Sequence, residues 1–180
     1  MLNSLIMRIK SYFINSLSLI MRIKSYFVNS LLVRRLNLNP NITIGKSAHV
    51  LAKTSINCGK LGIIEIGEDT FINELCSIYT YNSTIKIGKG VLIGPATVIN
   101  THHHNFQRTD LPIQQQTGNG KPIIIEDDVW IGAHCTILGG VRIGAHSVIG
   151  AHSLVNKSIP PCSVAYGVPC KVKRTRDLTN

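Results

Sequence analysis

Three consecutive histidines, His102, His103 and His104, stand between Thr101 and Asn105. A neutral imidazole accepts a proton near pH 7, so a histidine at the edge of a loop is suited to work as a general base. The run after it, Asn105 to Lys121, carries Pro112, Gly118 and Gly120 and keeps no regular apolar spacing. Such an excursion from a regular element is a common seat of function. Trp130 is the only tryptophan, directly before Ile131-Gly132. His134, His146 and His152 each end the phrase Gly-Ala-His, and His134 and His152 are eighteen residues apart. They invite a metal reading, but repetition of the phrase explains all three without one. The consecutive acids Glu126, Asp127 and Asp128 read as a solvated turn. The five cysteines are odd in number and never in a Cys-x-x-Cys spacing. They read as reduced thiols that fill small interior spaces.

The elements that must position these residues follow from a period of six. Aliphatics recur at Ile44, Val50 and Ile56; at Ile66, Ile72 and Ile78; and at Ile87, Ile93 and Ile99. They recur again at Ile125, Ile131, Ile137, Ile143, Ile149 and Val155, making fifteen hexads in four registers. Six is a multiple of the strand period and not of the helix period, so on strands all these side chains point one way. Cys135, Val141, Ser147 and Ser153, four residues after an aliphatic, share that parity. Short strands joined by glycine-bearing turns cannot bury such a face alone. They must stack as an all-β solenoid. The histidine cluster falls where this rhythm breaks, just after Ile99.

A different repeat occupies the N-terminus. Ser4–Leu17 and Ser18–Leu31 are the same fourteen residues except for Ile14 against Val28. Fourteen residues is close to four helical turns, so both copies present roughly the same face. The spacing predicts a basic amphipathic helical segment ending near Leu36. Arg8, Lys10, Arg22, Lys24, Arg34 and Arg35 lie in it, and the first acid of the chain is Glu65. This segment either adheres to an anionic membrane surface or packs on the main domain or another subunit.

The chain has 180 residues, 44% hydrophobic and 16% charged, with a net charge of +10. That is one domain with an appendage, not a disordered chain. The charge implies an anionic partner: nucleic acid, lipid headgroups or a phosphate-bearing cofactor. Aromatic residues make only 6% and no recognised binding motif is present, so nucleic acid is not expected. Ser11 to Met21 is too short to span a bilayer and no signal-peptide cleavage pattern follows it, so the protein is expected in the cytoplasm. We expect a helical segment at 1–38, a β-solenoid domain at 39–166 with an excursion loop at 105–121, and a basic tail at 167–180.

From about Ile42 to Arg174 the pattern resembles the hexapeptide-repeat acyltransferases. The runs Ile125–Pro161 and Val164–Val172 are similar to galactoside, maltose and nodulation-factor O-acetyltransferases, and to those of capsule, O-antigen and exopolysaccharide clusters. The resemblance implies a left-handed parallel β-helix of about five coils, a homotrimer with active sites in the clefts between subunits, and acetyl-CoA as donor. It implies O-acetylation of a saccharide in surface polysaccharide biosynthesis. N-acetylation of an amino-sugar nucleotide and a non-enzymatic scaffold are the other readings. It places the general base at His104, five residues after Ile99, with His102 as the rival or as a substrate-binding neighbour. Asn73 matches an acceptor-binding asparagine; simple turn chemistry is its other reading. Trp130 matches a residue packed beside the pantetheine arm. Ala133 matches one whose backbone N–H holds the thioester oxygen. Ala151, Asn156 and Lys157 match further coenzyme contacts, and Asn156 departs from the usual Thr or Ser. Lys171 and Arg174 match phosphate-binding residues. Lys171 stands where some relatives carry Arg, which loses a bidentate contact.

Overall fold

In the computed structural model, residues 32–33 and 35–176 are described. They form a parallel β-solenoid of five coils with almost no helix. The first coil is β1 (Ile42–Ile44), β2 (His49–Val50) and β3 (Ser55–Cys58). The second is β4 (Ile63–Ile66), β5 (Phe71–Ile72) and β6 (Ser77–Thr80). The third is β7 (Thr84–Ile87), β8 (Leu92–Ile93) and β9 (Val98–Asn100). There the chain leaves the coil as a hairpin, β10 (His102–His104) and β11 (Gly118–Gly120), enclosing one 3₁₀ turn at Ile113–Gln115. The fourth coil is β12 (Ile123–Ile125), β13 (Trp130–Ile131) and β14 (Thr136–Leu138). The fifth is β15 (Arg142–Ile143), β16 (Val148–Ile149) and β17 (Leu154–Val155). After them, β18 (Ser163–Tyr166) and β19 (Lys171–Thr175) fold back as an antiparallel pair.

Corresponding strands stack into three faces. The first face runs β1-β4-β7-β12-β15 and the third β3-β6-β9-β14-β17. The second, β2-β5-β8-β13-β16-β18-β19, ends on the antiparallel pair.

All fifteen hexad aliphatics are buried in one continuous core, as their common parity requires. Cys135, Val141, Ser147 and Ser153 are buried with them. The three breaks in the period share one cause. Each falls where the chain passes from the third face to the first: after β3, after β6 and after β9. Extra residues loop out at that corner and leave the stacking of the coils intact.

Small polar side chains tie coil to coil. Thr54 donates its hydroxyl to the Asn73 carbonyl at 2.6 Å and Thr97 to the Gly132 carbonyl at 3.0 Å. In the same role, the thiols of Cys76 and Cys135 reach the Gly94 and Gly150 carbonyls at 3.3 and 3.2 Å. These two cysteines are therefore more than space fillers. All five cysteines are free thiols.

The duplicated segment at 1–31 lies outside the described residues. The described end of that region is helical at Leu32, Val33, Arg35 and Leu36. Leu32, Val33 and Leu36 pack against the core. No helix among the described residues is long and apolar enough to cross a membrane.

Candidate active site

The hairpin β10–β11 holds the histidine cluster at the corner between the third and first faces. Its register pairs His102 with Gly120, His103 with Asn119 and His104 with Gly118. The base of the excursion is closed by the Lys121 N–H on the Thr101 carbonyl at 3.1 Å. Thr101 is itself buried, and its hydroxyl bonds that of Thr80 at 3.0 Å. Beyond the hairpin, Gln116 ties the loop together. Its amide donates to the carbonyls of Arg108 and Leu111 at 2.8 and 3.1 Å and accepts the Arg108 N–H at 3.2 Å.

His104 and His103 are exposed and His102 is half-buried. The His102 ring stands edge-on to His104, 4.9 Å between centroids, and to Tyr81 at 5.5 Å. Tyr81 was not legible as a neighbour of this cluster, because it precedes His102 by twenty-one residues on another coil. The pairing of His102 with His104 was legible, since residues two apart share a face of a strand.

The other expected residues lie elsewhere on the prism. Asn73 follows β5 at the corner between the second and third faces. Its side-chain oxygen accepts the Glu74 N–H at 2.8 Å and its carbonyl accepts the Thr54 hydroxyl. Turn chemistry thus occupies part of its capacity. Trp130 points outward from the second face with 55% of its surface exposed, beside Leu92 at 50%. Ala133 and Ala151 occupy the same corner as Asn73 on the fourth and fifth coils. Gly132 and His134 give their N–H groups to the carbonyls of Ile149 and Pro95. Ala133, between them, donates to no carbonyl among the described bonds. Its N–H is therefore spare, and a Cβ on Gly94 would stand 2.6 Å from that nitrogen. Asn156 and Lys157 are exposed after β17, at the corner from which the excursion leaves two coils earlier. Lys171 and Arg174 are exposed on β19, at the end of the second face. Lys173 on the same strand lies 5.1 Å over the Tyr166 ring. Arg176 donates to the His146 carbonyl at 2.7 Å.

One chain thus brings Asn73, Trp130, Ala133, Ala151, Lys171 and Arg174 to the second face and its edge. It places His102, His104, Asn156 and Lys157 at a different corner.

The His134 and His152 rings stack nearly parallel at 4.9 Å, as a separation of one coil predicts. His146 sits on another corner, with Nδ1 2.9 Å from an Asp128 carboxylate oxygen. Among the described residues, no group of three or more His, Cys, Asp or Glu side chains is gathered around a metal-sized space. The acidic turn is a turn with Asp127 and Asp128 exposed, and its members also bond the neighbouring coils. Glu126 pairs with Arg142 and caps the Ala145 N–H, and Asp127 caps the Lys89 N–H at 2.8 Å.

Comparison with known proteins agrees with this architecture. The family profile described as bacterial transferase hexapeptide (six repeats) matches residues 122–157. A hexapeptide-repeat acetyltransferase of Vibrio cholerae, solved with acetyl coenzyme A, is 37% identical with a TM-score of 0.65. That match covers 75% of this chain and 71% of that one. The chain belongs to the hexapeptide-repeat acetyltransferase family. Within the family, the galactoside O-acetyltransferase of Escherichia coli K12 is 39% identical over 137 residues, 73% of this chain and 63% of that protein. A galactoside acetyltransferase solved with coenzyme A is 34% identical with a TM-score of 0.62 and covers 76% of this chain and 66% of that one. The chain thus spans less than two thirds of the length of the E. coli galactoside enzyme, and 44% of that of the Lactococcus lactis one.

Proposed function

We propose that the protein is an acetyl-CoA-dependent O-acetyltransferase that moves an acetyl group to a hydroxyl of a saccharide. The observation that carries this reading is the exposed His104 imidazole, held on a paired hairpin where the solenoid breaks. In the proposed step His104 takes the proton of the acceptor hydroxyl as its oxygen attacks the thioester carbonyl. The spare Ala133 N–H stabilises the oxyanion. The C–S bond then breaks, and the leaving thiolate takes the proton from the imidazolium. Trp130 and Ala151 flank the pantetheine arm, with Asn156 and Lys157 further along it. Lys171 and Arg174 meet the nucleotide phosphates. Asn73 orients the acceptor.

This reading carries an assembly with it. Asn73 and Ala133 lie on a different corner from His104, so a site using all three needs the second face of one copy against the excursion of another. The outward Trp130 and Leu92, both half-exposed, supply the apolar surface that such a contact covers. We infer a homotrimer of left-handed coils. Likeness to a protein of Escherichia coli K12 named a putative lipopolysaccharide biosynthesis O-acetyl transferase, 32% identical over 118 residues, supports a surface-polysaccharide acceptor. We place the protein in the cytoplasm, with residues 1–36 contacting an anionic membrane.

The test is thiol release from acetyl-CoA across a panel of sugars, oligosaccharides, sugar nucleotides and amino acids. Release with a saccharide that carries only hydroxyl groups supports the proposal. Release only with amino sugars overturns it in favour of N-acetylation, and no release with any acceptor overturns it outright.

A further inference from the structure

Resting on the assignment of His104 as base, we propose that His102 is a positioning residue for His104, braced by Tyr81 and a floor of two glycines. It is not a ligand of the acceptor.

Alternation along β10 puts His102 and His104 on one face of the hairpin and His103 on the other. Across the hairpin, the residues opposite His102 and His104 are Gly120 and Gly118. The partner strand therefore offers no side chain on that face, and two imidazoles take the space. The His102 ring leans diagonally over Gly118. A Cβ there would stand 2.8 Å from its Nε2 and closer still to Cε1. Tyr81 closes the other side edge-to-face, with 65° between the ring planes. Tyr81, half-exposed, packs on the coil below. A Cβ on Gly59 would lie 2.6 Å from the Tyr81 carbonyl oxygen.

The nitrogens of His102 argue against a ligand role. Nδ1 is buried and has no hydrogen-bond partner. Nε2 lies over the backbone of Gly118. A residue meant to bind hydroxyls presents its polar atoms to solvent, and His102 turns Nδ1 inward against its desolvation penalty. What it does present is ring area, at 4.9 Å and 80° to His104, the edge-to-face geometry aromatic pairs prefer. An exposed side chain samples several rotamers. A neighbour that excludes the unproductive ones raises the fraction of time His104 is aligned for proton transfer, which acts on turnover.

The experiment uses the full chain and compares His102→Ala, His102→Phe, Tyr81→Ala and Gly118→Ala. The expected result is a kcat lowered about 10-fold in His102→Ala, with both KM values unchanged. His102→Phe restores kcat, because the ring and not its nitrogens does the bracing. A rise in acceptor KM at constant kcat in His102→Ala overturns the proposal, as does failure of His102→Phe to rescue. A second readout needs no activity. Proton–carbon NMR of the His104 ring detects the ring currents of its neighbours. The His104 signal should move in His102→Ala, Tyr81→Ala and Gly118→Ala while signals of the fifth coil stay in place. An unmoved His104 signal overturns the brace. If the wild-type chain transfers no acetyl group, the proposed function fails while the NMR comparison still decides the packing.

Discussion

His104→Ala is the sharpest residue-scale test of the proposed chemistry. A positioned base contributes about 10²–10⁴-fold to turnover. The variant should lose that much kcat while still binding coenzyme A, measured by calorimetry beside the thiol assay. Loss of activity in His102→Ala but not in His104→Ala would reassign the base. The cysteines give a second prediction at this scale. Burial pushes the thiols of Cys76, Cys135, Cys170 and Cys58 above their ordinary value, leaving less thiolate to react. Iodoacetamide should label the half-buried Cys162 and Cys58 first, and the buried Cys76, Cys135 and Cys170 only on unfolding, as read by peptide mass spectrometry. The sign for stability follows. These thiols hold their protons more tightly folded than unfolded, so their contribution is present at neutral pH. It fades as pH rises beyond the ordinary thiol value of 9.0.

At the scale of the element, coil stacking depends on glycines where backbones nearly touch. A Cβ on Gly67 would lie 2.6 Å from the Gly88 carbonyl carbon, which belongs to the next coil and cannot step aside. Gly67→Ala should therefore destabilise by about 1–3 kcal/mol, the range for overpacking. Gly90 differs. Its φ is +67° but a Cβ there meets nothing within 4 Å. Lys53, Asp69, Asp128 and His146 already take positive φ in comparable turns. Gly90→Ala should cost only about 1 kcal/mol, the left-handed penalty alone. Thermal melts of the two variants check the order, and an equal loss in both would contradict the close-stacking account.

At the scale of the whole molecule, the division of site residues between two corners predicts an obligate assembly. Light scattering should give a trimer. A fully active monomer would contradict the shared cleft. The duplicated segment carries a second prediction. Each copy brings two basic residues, and each basic residue near an anionic surface contributes about 1 kcal/mol. Deleting Ser4–Leu17 should reduce co-sedimentation with anionic liposomes at low salt and spare activity on a soluble acceptor. Absence of binding by the full chain would favour packing against the assembly instead, extending the contact that Leu32, Val33 and Leu36 already make with the core.

The core was legible residue by residue, because a strand's period of two sends every sixth side chain inward whatever the rest of the chain does. The same parity put His102 beside His104, and the spacing of one coil stacked His134 on His152. What parity does not encode is which residues meet across coils. Tyr81 reached His102, and Asp127 reached the Lys89 N–H, only once the extra residues after β6 and β9 had been absorbed at one corner. Nor could spacing tell that Asn73 and His104 end on different corners of the prism. That depends on how many residues each corner loop takes up, and only the tertiary structure sets those lengths against the stacking of the coils.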